Sequence, residues 1–398
     1  MDLKDQIKER SEYHFGEMVR IRTLLHRYPE LSFEEYKTSE TIRSVLNSWG
    51  IEYDFPYVKT GILARLSGKR NGRTVALRAD MDALPISEPE DRKIHSLNNG
   101  VMHACGHDIH MTALLGAIRI LKDLCDSLRG QLLFIFQPGE EKIPGGARLM
   151  LEEGIFSRFK PDLIIAQHVL PSMETGKAGF RPGMYMASSD EIYLTVTGKG
   201  GHGAMPEQIN DPVLMTSHIL ISLQQEINRK TPRHTPTVIS FGKVIADGAV
   251  NVIPNQVRVE GTFRTMDESY RKQAHEMIRK IAKGIAESMG GSCEIEIRKG
   301  YPVLINDEKV TSLARNYAID LLGSDHIEEL ERRMTAEDFA WFANAYPATM
   351  FRLGIKPPDA LDETPLHTPE FAADESALKT GASLLSYLAI RFLNEEAF

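Results

Sequence analysis

Three histidines, a cysteine and an aspartate lie within the eight consecutive residues 103–110. Imidazole and thiolate groups are preferred ligands of zinc-like ions, and few segments of a protein concentrate them so densely. The apolar run 111–121 follows directly, so we expect the cluster in the turn that opens a helix. The alternative is a polar loop whose histidines are merely neighbours, and the cluster alone does not decide between the two.

Further candidate ligands follow apolar segments that have the length of strands. Continuous apolar strands between helices predict an α/β sheet that is covered on both faces. Ligands of such sheets bind at the carboxyl ends of the strands, so a shared metal site at that edge is favoured over a chance scatter of histidines. The side chains that follow these segments are Asp80 and Asp82 after 75–78, Glu140 and Glu141 after 132–136, and His168 after 163–166.

Glu140 and Glu141 are adjacent and follow a Pro-Gly turn. Neighbouring side chains on a turn diverge, so one carboxylate can hold a metal while the other faces the substrate. A water activated by a metal needs a nearby base that takes its proton and passes it to a leaving amine. The alternative is a solvated acidic pair in front of Lys142.

The sequence pattern changes at about residue 190, where apolar and polar residues begin to alternate. The order strand, helix, strand, strand, helix, strand predicts a ferredoxin-like α+β arrangement. The pattern of the N-terminal part returns after about residue 300. The sequence therefore predicts an α/β domain formed by 1–188 and 300–398 that is interrupted by an inserted domain, 189–299.

Bulk composition excludes several classes of protein. A net charge of -8 and a pI near 5.9 give no general attraction to nucleic acid or to an anionic membrane. No apolar stretch approaches the roughly 20 residues that span a bilayer. Three cysteines argue against a disulfide framework, and the charged N-terminus has no apolar signal core, so we expect a cytoplasmic protein.

Short motifs are distributed along nearly the whole chain, from about His26 to the C-terminal region. They are HACGHD at 103–108, QPGEE at 137–141, QH at 167–168, GHGAMP at 201–206, NVIP at 251–254, GTFR at 261–264, MTAED at 334–338 and LH at 366–367. In these motifs and in their order, the chain resembles the dinuclear-metal aminoacylase/carboxypeptidase family, which makes the resemblance specific. The most similar branch is the hippurate hydrolase and indoleacetyl-amino-acid hydrolase type.

The resemblance implies a mixed-sheet metallopeptidase catalytic domain with an inserted lid domain that can also form a homodimer. It implies hydrolysis of the amide bond of N-acyl amino acids, such as N-acetyl or N-benzoyl derivatives, or of short peptides. Two divalent ions, zinc, manganese, cobalt or nickel, would serve as cofactors, and Glu140 would be the general base. The implied metal ligands are Cys105, His107, Glu141, His168 and His367.

Four further residues receive roles from the same resemblance. His202 would stabilise the oxyanion, brought in by domain closure or supplied by a neighbouring subunit. Asn251 and Arg264 would hold the substrate carboxylate, which a guanidinium matches with two hydrogen bonds. Asp82 would orient a ligand imidazole. A turn histidine, a solvated arginine and a strand-end aspartate are the plain alternatives.

Within the cluster, we expect His103, Asp108 and His110 to support the ligands rather than bind metal. His110 is placed on the helix, and Asp108 is expected to cap it. The chain departs from many relatives at Glu207, where they carry histidine. This departure concerns substrate preference at the lid rather than the hydrolytic core.

Four other functions remain open from the sequence. The chain could be a carboxypeptidase or dipeptidase of the same family, or a non-catalytic protein that binds amino-acid conjugates. It could also be a cysteine hydrolase with Cys105 as nucleophile, which would survive chelation. The glycines of 198–203 match a dinucleotide fingerprint weakly, because Pro206 and Pro212 delay the helix that such a site requires.

Overall fold

The computed structural model describes residues 2–395. The chain forms two compact units. The first comprises Met1–Tyr185, Ile305–Glu331 and Asp338–Phe398, and the second comprises Met186–Leu304 and Arg332–Glu337.

Both units contain helices and strands. The α-helices are α1 (Leu3–Arg27), α2 (Tyr36–Ser48), α3 (His107–Asp123), α4 (Gly146–Glu152), α5 (Pro212–Lys230), α6 (Glu268–Ser288), α7 (Glu308–Leu322), α8 (Ala340–Ala345) and α9 (Ala377–Leu393). The strands are β1 (Glu52–Tyr57), β2 (Gly61–Ser67), β3 (Arg70–Asp80), β4 (Arg129–Gln137), β5 (Leu163–Glu174), β6 (Ala178–Phe180), β7 (Gly183–Met186), β8 (Asp190–Thr197), β9 (Gly201–His202), β10 (Thr237–Ile245), β11 (Val252–Ile253), β12 (Gln256–Thr265), β13 (Ser292–Lys299), β14 (Leu304–Asn306), β15 (Ile327–Glu329) and β16 (Ala348–Lys356).

A mixed eight-stranded sheet forms the first unit, in the order β1-β2-β4-β3-β5-β16-β6-β15. The neighbours β4, β3, β5 and β16 are parallel, so their carboxyl ends lie at the same edge. Asp80 pairs with Gln137 at that edge. The predicted mixed α/β architecture is confirmed.

Helix α3 lies in the middle of the core of the first unit. Nearly all of its residues are buried, as expected for a helix that is apolar on most of its surface. It packs against α1 and α9, and α9 also contacts β3. Within residues 2–395, no helix is long and apolar enough to cross a membrane.

The second unit contains a four-stranded antiparallel sheet in the order β10-β12-β8-β13, with α5 and α6 packed against it. The burial of β8 alternates along the strand, because one face covers the core and the other does not. The elements follow one another as the sequence predicted, and the ferredoxin-like arrangement is confirmed.

One strand is longer than the sequence indicated. His168 was expected just after a strand that ends at Ala166, but β5 continues to Glu174. The pairing of β5 with β3 stops at Ala166, whereas pairing with β16 continues and places Arg352 opposite His168. His168 therefore lies within β5, at the point where the strand extends beyond β3.

Candidate metal centre

The turn before α3 brings Cys105 and His107 to the edge of the sheet. Gly106, between them, has a φ of 78°, which a residue with a side chain rarely adopts. A Cβ at Gly106 would also lie 2.7 Å from Val169 Cγ2. Glycine at this position therefore lets the chain pass close to β5 and enter the helix at His107.

Five donor atoms from four segments converge at this edge. Cys105 Sγ lies 3.5 Å from His168 Nε2 and 3.3 Å from His367 Nε2. Glu141 Oε1 lies 3.2 Å from His367 Nε2 and 4.0 Å from His107 Nε2. The residues that the resemblance implied as metal ligands thus lie together.

His367 reaches this cluster from a loop rather than from a strand. Its backbone N–H donates to the carbonyl of Ala104, at 2.9 Å. His367 has a φ of 62°, a conformation that costs free energy for a residue with a side chain and is frequent at functional sites. The loop is thereby tied to the chain just before Cys105.

Hydrogen bonds fix the tautomers of two histidines. His107 Nδ1 donates to the backbone carbonyl of Asp82 at 2.8 Å, and His168 Nδ1 donates to the carbonyl of Val169 at 2.9 Å. In the neutral form of each ring, Nε2 is therefore the basic nitrogen, and it faces the cluster. This is the arrangement in which an imidazole binds a metal.

His110 lies on α3 as expected, but both of its nitrogens are already used. Nδ1 lies 2.6 Å from Asp80 Oδ1 and donates to it, and Nε2 accepts from the N–H of Val169 at 2.9 Å. His110 therefore differs in role from His107 and His168. It supports the cluster, but neither of its nitrogens is left to bind a metal.

The electrostatics of the cluster favour a bound cation. Burial, together with Glu141, Glu140 and Asp80, raises the pKa of the Cys105 thiol well above its usual range. Burial alone would lower the pKa of His107, but the charge of Asp80 and the contact with Asp82 raise it to about 10. Several acidic groups thus face one another in a largely buried cluster, a charge distribution that a divalent cation would neutralise.

The residues present fit a pair of metal ions. Among residues 2–395, the buried His107 Nε2 has no hydrogen-bond partner. Ligand atoms around one tetrahedral zinc-like ion lie roughly 3.3–3.8 Å apart, which is close to the separations measured here. Two groups of potential ligands share the Cys105 thiol: one adds His107 and His168, and the other adds Glu141 and His367.

The Asp82 carboxylate contacts the turn that carries Glu140 and Glu141. Its Oδ1 accepts from the N–H of Glu140 at 3.0 Å, and its Oδ2 accepts from the N–H of Glu141 at 2.9 Å and from the Ser32 hydroxyl at 2.7 Å. Asp82 was expected to orient an imidazole with its carboxylate. Its backbone carbonyl accepts the shorter contact with His107, while the carboxylate is mainly occupied with the turn.

A buried network that sequence reasoning did not assign supports the general-base candidate. Arg78, in the buried C-terminal half of β3, donates to Gln137, Asp80 and Asp338 at 2.7–2.9 Å. The backbone N–H of Asp338 donates to Glu140 Oε1 at 3.3 Å. An arginine within a buried strand was the one sequence signal for this network, because a buried guanidinium requires partners.

Asp108 does not cap α3, contrary to expectation. Gly106 is the N-cap residue, and within the described chain no side chain caps this helix end. The Asp108 carboxylate instead accepts from Arg22 Nε at 3.0 Å and His26 Nδ1 at 2.9 Å, both on α1. The two cations outcompete the helix amides, because a buried carboxylate gains more from a charged donor.

The remaining site candidates belong to the second unit. His202 in β9 pairs with Val252 in β11, and the N–H of Gly203 donates to the carbonyl of Asn251 at 2.9 Å, so His202 and Asn251 are neighbours. Arg264 lies in β12 and is half-buried. Within the described residues no carboxylate pairs with Arg264, and burial lowers its pKa. Helix α5 begins only at Pro212, which leaves the glycines of 198–203 without the helix of a dinucleotide site.

Comparison with known proteins gives a consistent assignment. The model of the family "Peptidase family M20/M25/M40" matches residues 76–391. The N-acyl-L-amino acid amidohydrolase of Geobacillus stearothermophilus is 40% identical over 76% of this chain and 81% of its own length. Thermostable carboxypeptidase 1 of Saccharolobus solfataricus is 34% identical over 99% of this chain and 100% of its own.

A solved structure shares the fold. The Bacillus subtilis YXEP protein, described as a dinuclear metal binding peptidase from the M20 family, superimposes with a TM-score of 0.80 at 32% identity. The superposition covers 96% of this chain and 99% of the YXEP chain. The chain is therefore a hydrolase of the peptidase family M20/M25/M40.

Proposed function

We propose that the chain hydrolyses the amide bond of N-acyl amino acids and that it uses two divalent metal ions. The observation that carries the proposal is the position of Glu140. Its carboxylate is buried, held by the N–H of Asp338, and adjacent in sequence to Glu141, whose Oε1 faces His107 and His367. A carboxylate beside a metal site is the group that a hydrolase needs for proton transfer.

In the proposed reaction, Cys105, His107, Glu141, His168 and His367 hold the metal ions. The chemistry supplied by bound divalent cations is Lewis-acid polarisation of the scissile carbonyl and activation of water. Glu140 takes the proton from the attacking water and then returns it to the leaving nitrogen. Asp82 and Asp338 hold the turn and the carboxylate in place for both transfers.

We propose that His202 stabilises the oxyanion and that Asn251 and Arg264 bind the substrate carboxylate. The exposed His202 ring accepts from the N–H of Ala204 through Nδ1, so Nε2–H is available to donate. Arg264 is a half-buried guanidinium for which the described residues offer no carboxylate, and a substrate carboxylate would supply that partner. A raised KM with an unchanged kcat in Arg264→Ala would support this role, whereas an unchanged KM would contradict it.

We propose that 189–299 acts as a lid and dimerisation domain. The edge strand β10 exposes Val238 and Val244, and α5 exposes Leu214 and Ile221. Apolar groups on an open edge and on a neighbouring helix suit association with a second copy. Sedimentation of the purified chain tests the proposed dimerisation: a dimer supports it and a monomer contradicts it.

The donor atoms support a proposal for the class of metal ion. One thiolate, three imidazoles and a carboxylate favour zinc, whereas the carboxylate also accommodates manganese, and cobalt or nickel would bind the imidazoles.

All three cysteines are free thiols, which agrees with the expected reducing, cytoplasmic compartment.

A carboxypeptidase is the second candidate, because one relative that matches almost the whole chain carries that name. A panel of N-acetyl amino acids, N-benzoyl amino acids and dipeptides, each assayed with zinc, manganese and cobalt, separates the two. We expect N-acyl amino acids to be cleaved with the higher kcat/KM, and cleavage to stop on chelation and return with added metal. Preference for dipeptides would favour the carboxypeptidase, and activity that survives complete metal removal would contradict both.

A further inference from the structure

Three consecutive backbone N–H groups of the turn that carries Glu140 and Glu141 point at buried carboxylates. Asp82 accepts from the N–H groups of Glu140 and Glu141. The preceding N–H, that of Gly139, donates to Glu35 Oε1 at 2.8 Å. Two carboxylates from distant segments of the chain therefore hold one short turn.

Glu35 stands at the N-terminus of α2 but does not serve that helix. It is the N-cap residue, and within the described chain its side chain makes no capping hydrogen bond. Glu30 takes that role: its carboxylate accepts from the N–H and the hydroxyl of Thr38, at 2.9 and 3.0 Å. The Glu35 carboxylate is instead directed inward and is fully buried.

The contacts of Glu35 place a rigid segment against the turn. Its Oε1 accepts from the N–H groups of Phe33 and Gly139, both at 2.8 Å, and its Oε2 accepts from the Thr60 hydroxyl at 2.7 Å. Phe33 has a φ of 67°, a costly conformation that the hydrogen bond to Glu35 helps to maintain.

The Phe33 ring also packs on the turn itself. Gly139 has a φ of 60°, and a Cβ there would lie 2.4 Å from the Phe33 ring. A side chain at residue 139 would therefore clash with the Phe33 ring. Glu35 thus ties together the two surfaces that make this contact.

We propose that Glu35 is a positioning residue for Glu140: it fixes the N–H of Gly139, so that the carboxylate one residue later is aimed at the reacting water. The proposal rests on the proposed role of Glu140 as general base. Asp82 fixes the turn from the side of Glu140 and Glu141, and Glu35 fixes it from the side of Gly139. With both ends held, the direction of the Glu140 side chain no longer depends on the flexibility of a glycine.

The contacts of Glu35 with the turn require hydrogen-bond acceptors, and burial disfavours the charged form of its carboxyl group. Burial and the nearby charge of Asp82 raise the pKa of Glu35 to about 7. An acceptor without a charge could therefore replace it. Glutamine keeps the oxygen that accepts from Phe33 and Gly139, and its amide can donate to the Thr60 oxygen.

The test compares Glu35→Ala and Glu35→Gln with Glu30→Ala, a matched control that loses the cap of α2 but leaves the turn untouched. All are measured as metal-loaded proteins, well below their unfolding temperatures, on an N-acetyl amino acid. Hydrogen exchange of peptides that span 137–141 is the readout that does not depend on activity. Metal content is measured in every variant.

We expect Glu35→Ala to lower kcat by roughly 10- to 100-fold with KM changed less than about twofold, and to speed exchange of the turn amides. Glu35→Gln should restore kcat and slow exchange to wild-type values, and Glu30→Ala should lower stability only. If Glu35→Ala does not fold, Glu35→Asp replaces it, because the shorter side chain keeps the charge but does not reach Gly139.

The proposal is overturned if Glu35→Ala keeps both the wild-type kcat and the wild-type exchange of the turn amides. It is also overturned if kcat falls as much in Glu30→Ala as in Glu35→Ala. The proposed function is contradicted by a different result, namely that the wild-type protein has no metal-dependent amidase activity. In that case the exchange of the turn in the Glu35 variants still decides whether Glu35 holds it.

Discussion

Asp82 Oδ1 lies 3.0 Å from the backbone nitrogen of Glu140, so a carboxylate at the end of one strand holds the general-base candidate at the end of the next. The two residues follow β3 and β4, which are parallel neighbours in the sheet. The contact is made by the backbone of Glu140, so Asp82 does not occupy its carboxylate.

Replacement of Asp82 by asparagine is expected to disturb this contact. An amide offers one acceptor, and its NH2 group would face an N–H of the turn, so one of the two hydrogen bonds is replaced by a repulsion. We expect kcat or metal affinity to fall roughly 10- to 100-fold, the usual effect of losing a group that supports a metal site. Steady-state kinetics with metal analysis measure it. Wild-type values for both quantities would show that the turn holds its position without Asp82.

The prediction for Cys105 distinguishes a metal ligand from a nucleophile. Cys105 belongs to two groups of potential metal ligands. If it is a ligand, Cys105→Ala should weaken metal binding and lower activity, and excess metal should restore part of that activity. Bound metal should also protect the wild-type thiol from iodoacetamide, because the thiolate is then coordinated. Activity that is lost completely at saturating metal, with metal content unchanged, would instead point to a nucleophilic cysteine.

Stability should depend on pH through His26. Burial lowers the pKa of His26, but hydrogen bonds to Asp108 and Glu88 outweigh it and raise the pKa to about 9. Since the folded pKa lies above the unfolded value near 6.5, this contribution is fully present below pH 6.5 and is lost as the pH rises through about 9. It amounts to at most about 3 kcal/mol.

The free energy of unfolding, measured by urea denaturation from pH 6 to 9.5, tests this against His26→Gln. We expect the difference between wild type and variant to be largest at low pH and to shrink towards pH 9. His326→Gln, which changes an exposed histidine, is the control and should leave the pH dependence unaltered. A difference that is constant with pH would refute the assignment.

Much of the fold could be predicted from the sequence, because the spacing of apolar residues shows which face of each strand or helix is buried. The alternating strands of the second unit predicted its ferredoxin-like sheet, and the positions after β3 and β4 pointed to one edge. The end of β5 could not be predicted in this way, because His168 is kept in the strand by pairing with β16, which lies far along the chain.

The division of roles within 103–110 also needed three dimensions. His107 and His110 are three residues apart on one helix and chemically identical, and only their partners separate them: a backbone carbonyl in one case, and Asp80 with the N–H of Val169 in the other. Glu35 gave no signal at all, because an acidic residue at a helix start is ordinary and its partner Gly139 lies 104 positions away.

The substitution Glu140→Gln tests whether Glu140 moves the proton in a metal-dependent amide hydrolysis, because glutamine keeps the shape of the side chain but cannot take up the proton. The measurement is kcat for an N-acetyl amino acid, made with the metal content of the variant determined in the same preparation. We expect two bound metal ions, an unchanged fold and a kcat reduced roughly 100- to 10,000-fold. A fully metal-loaded variant that turns over at the wild-type rate would contradict it.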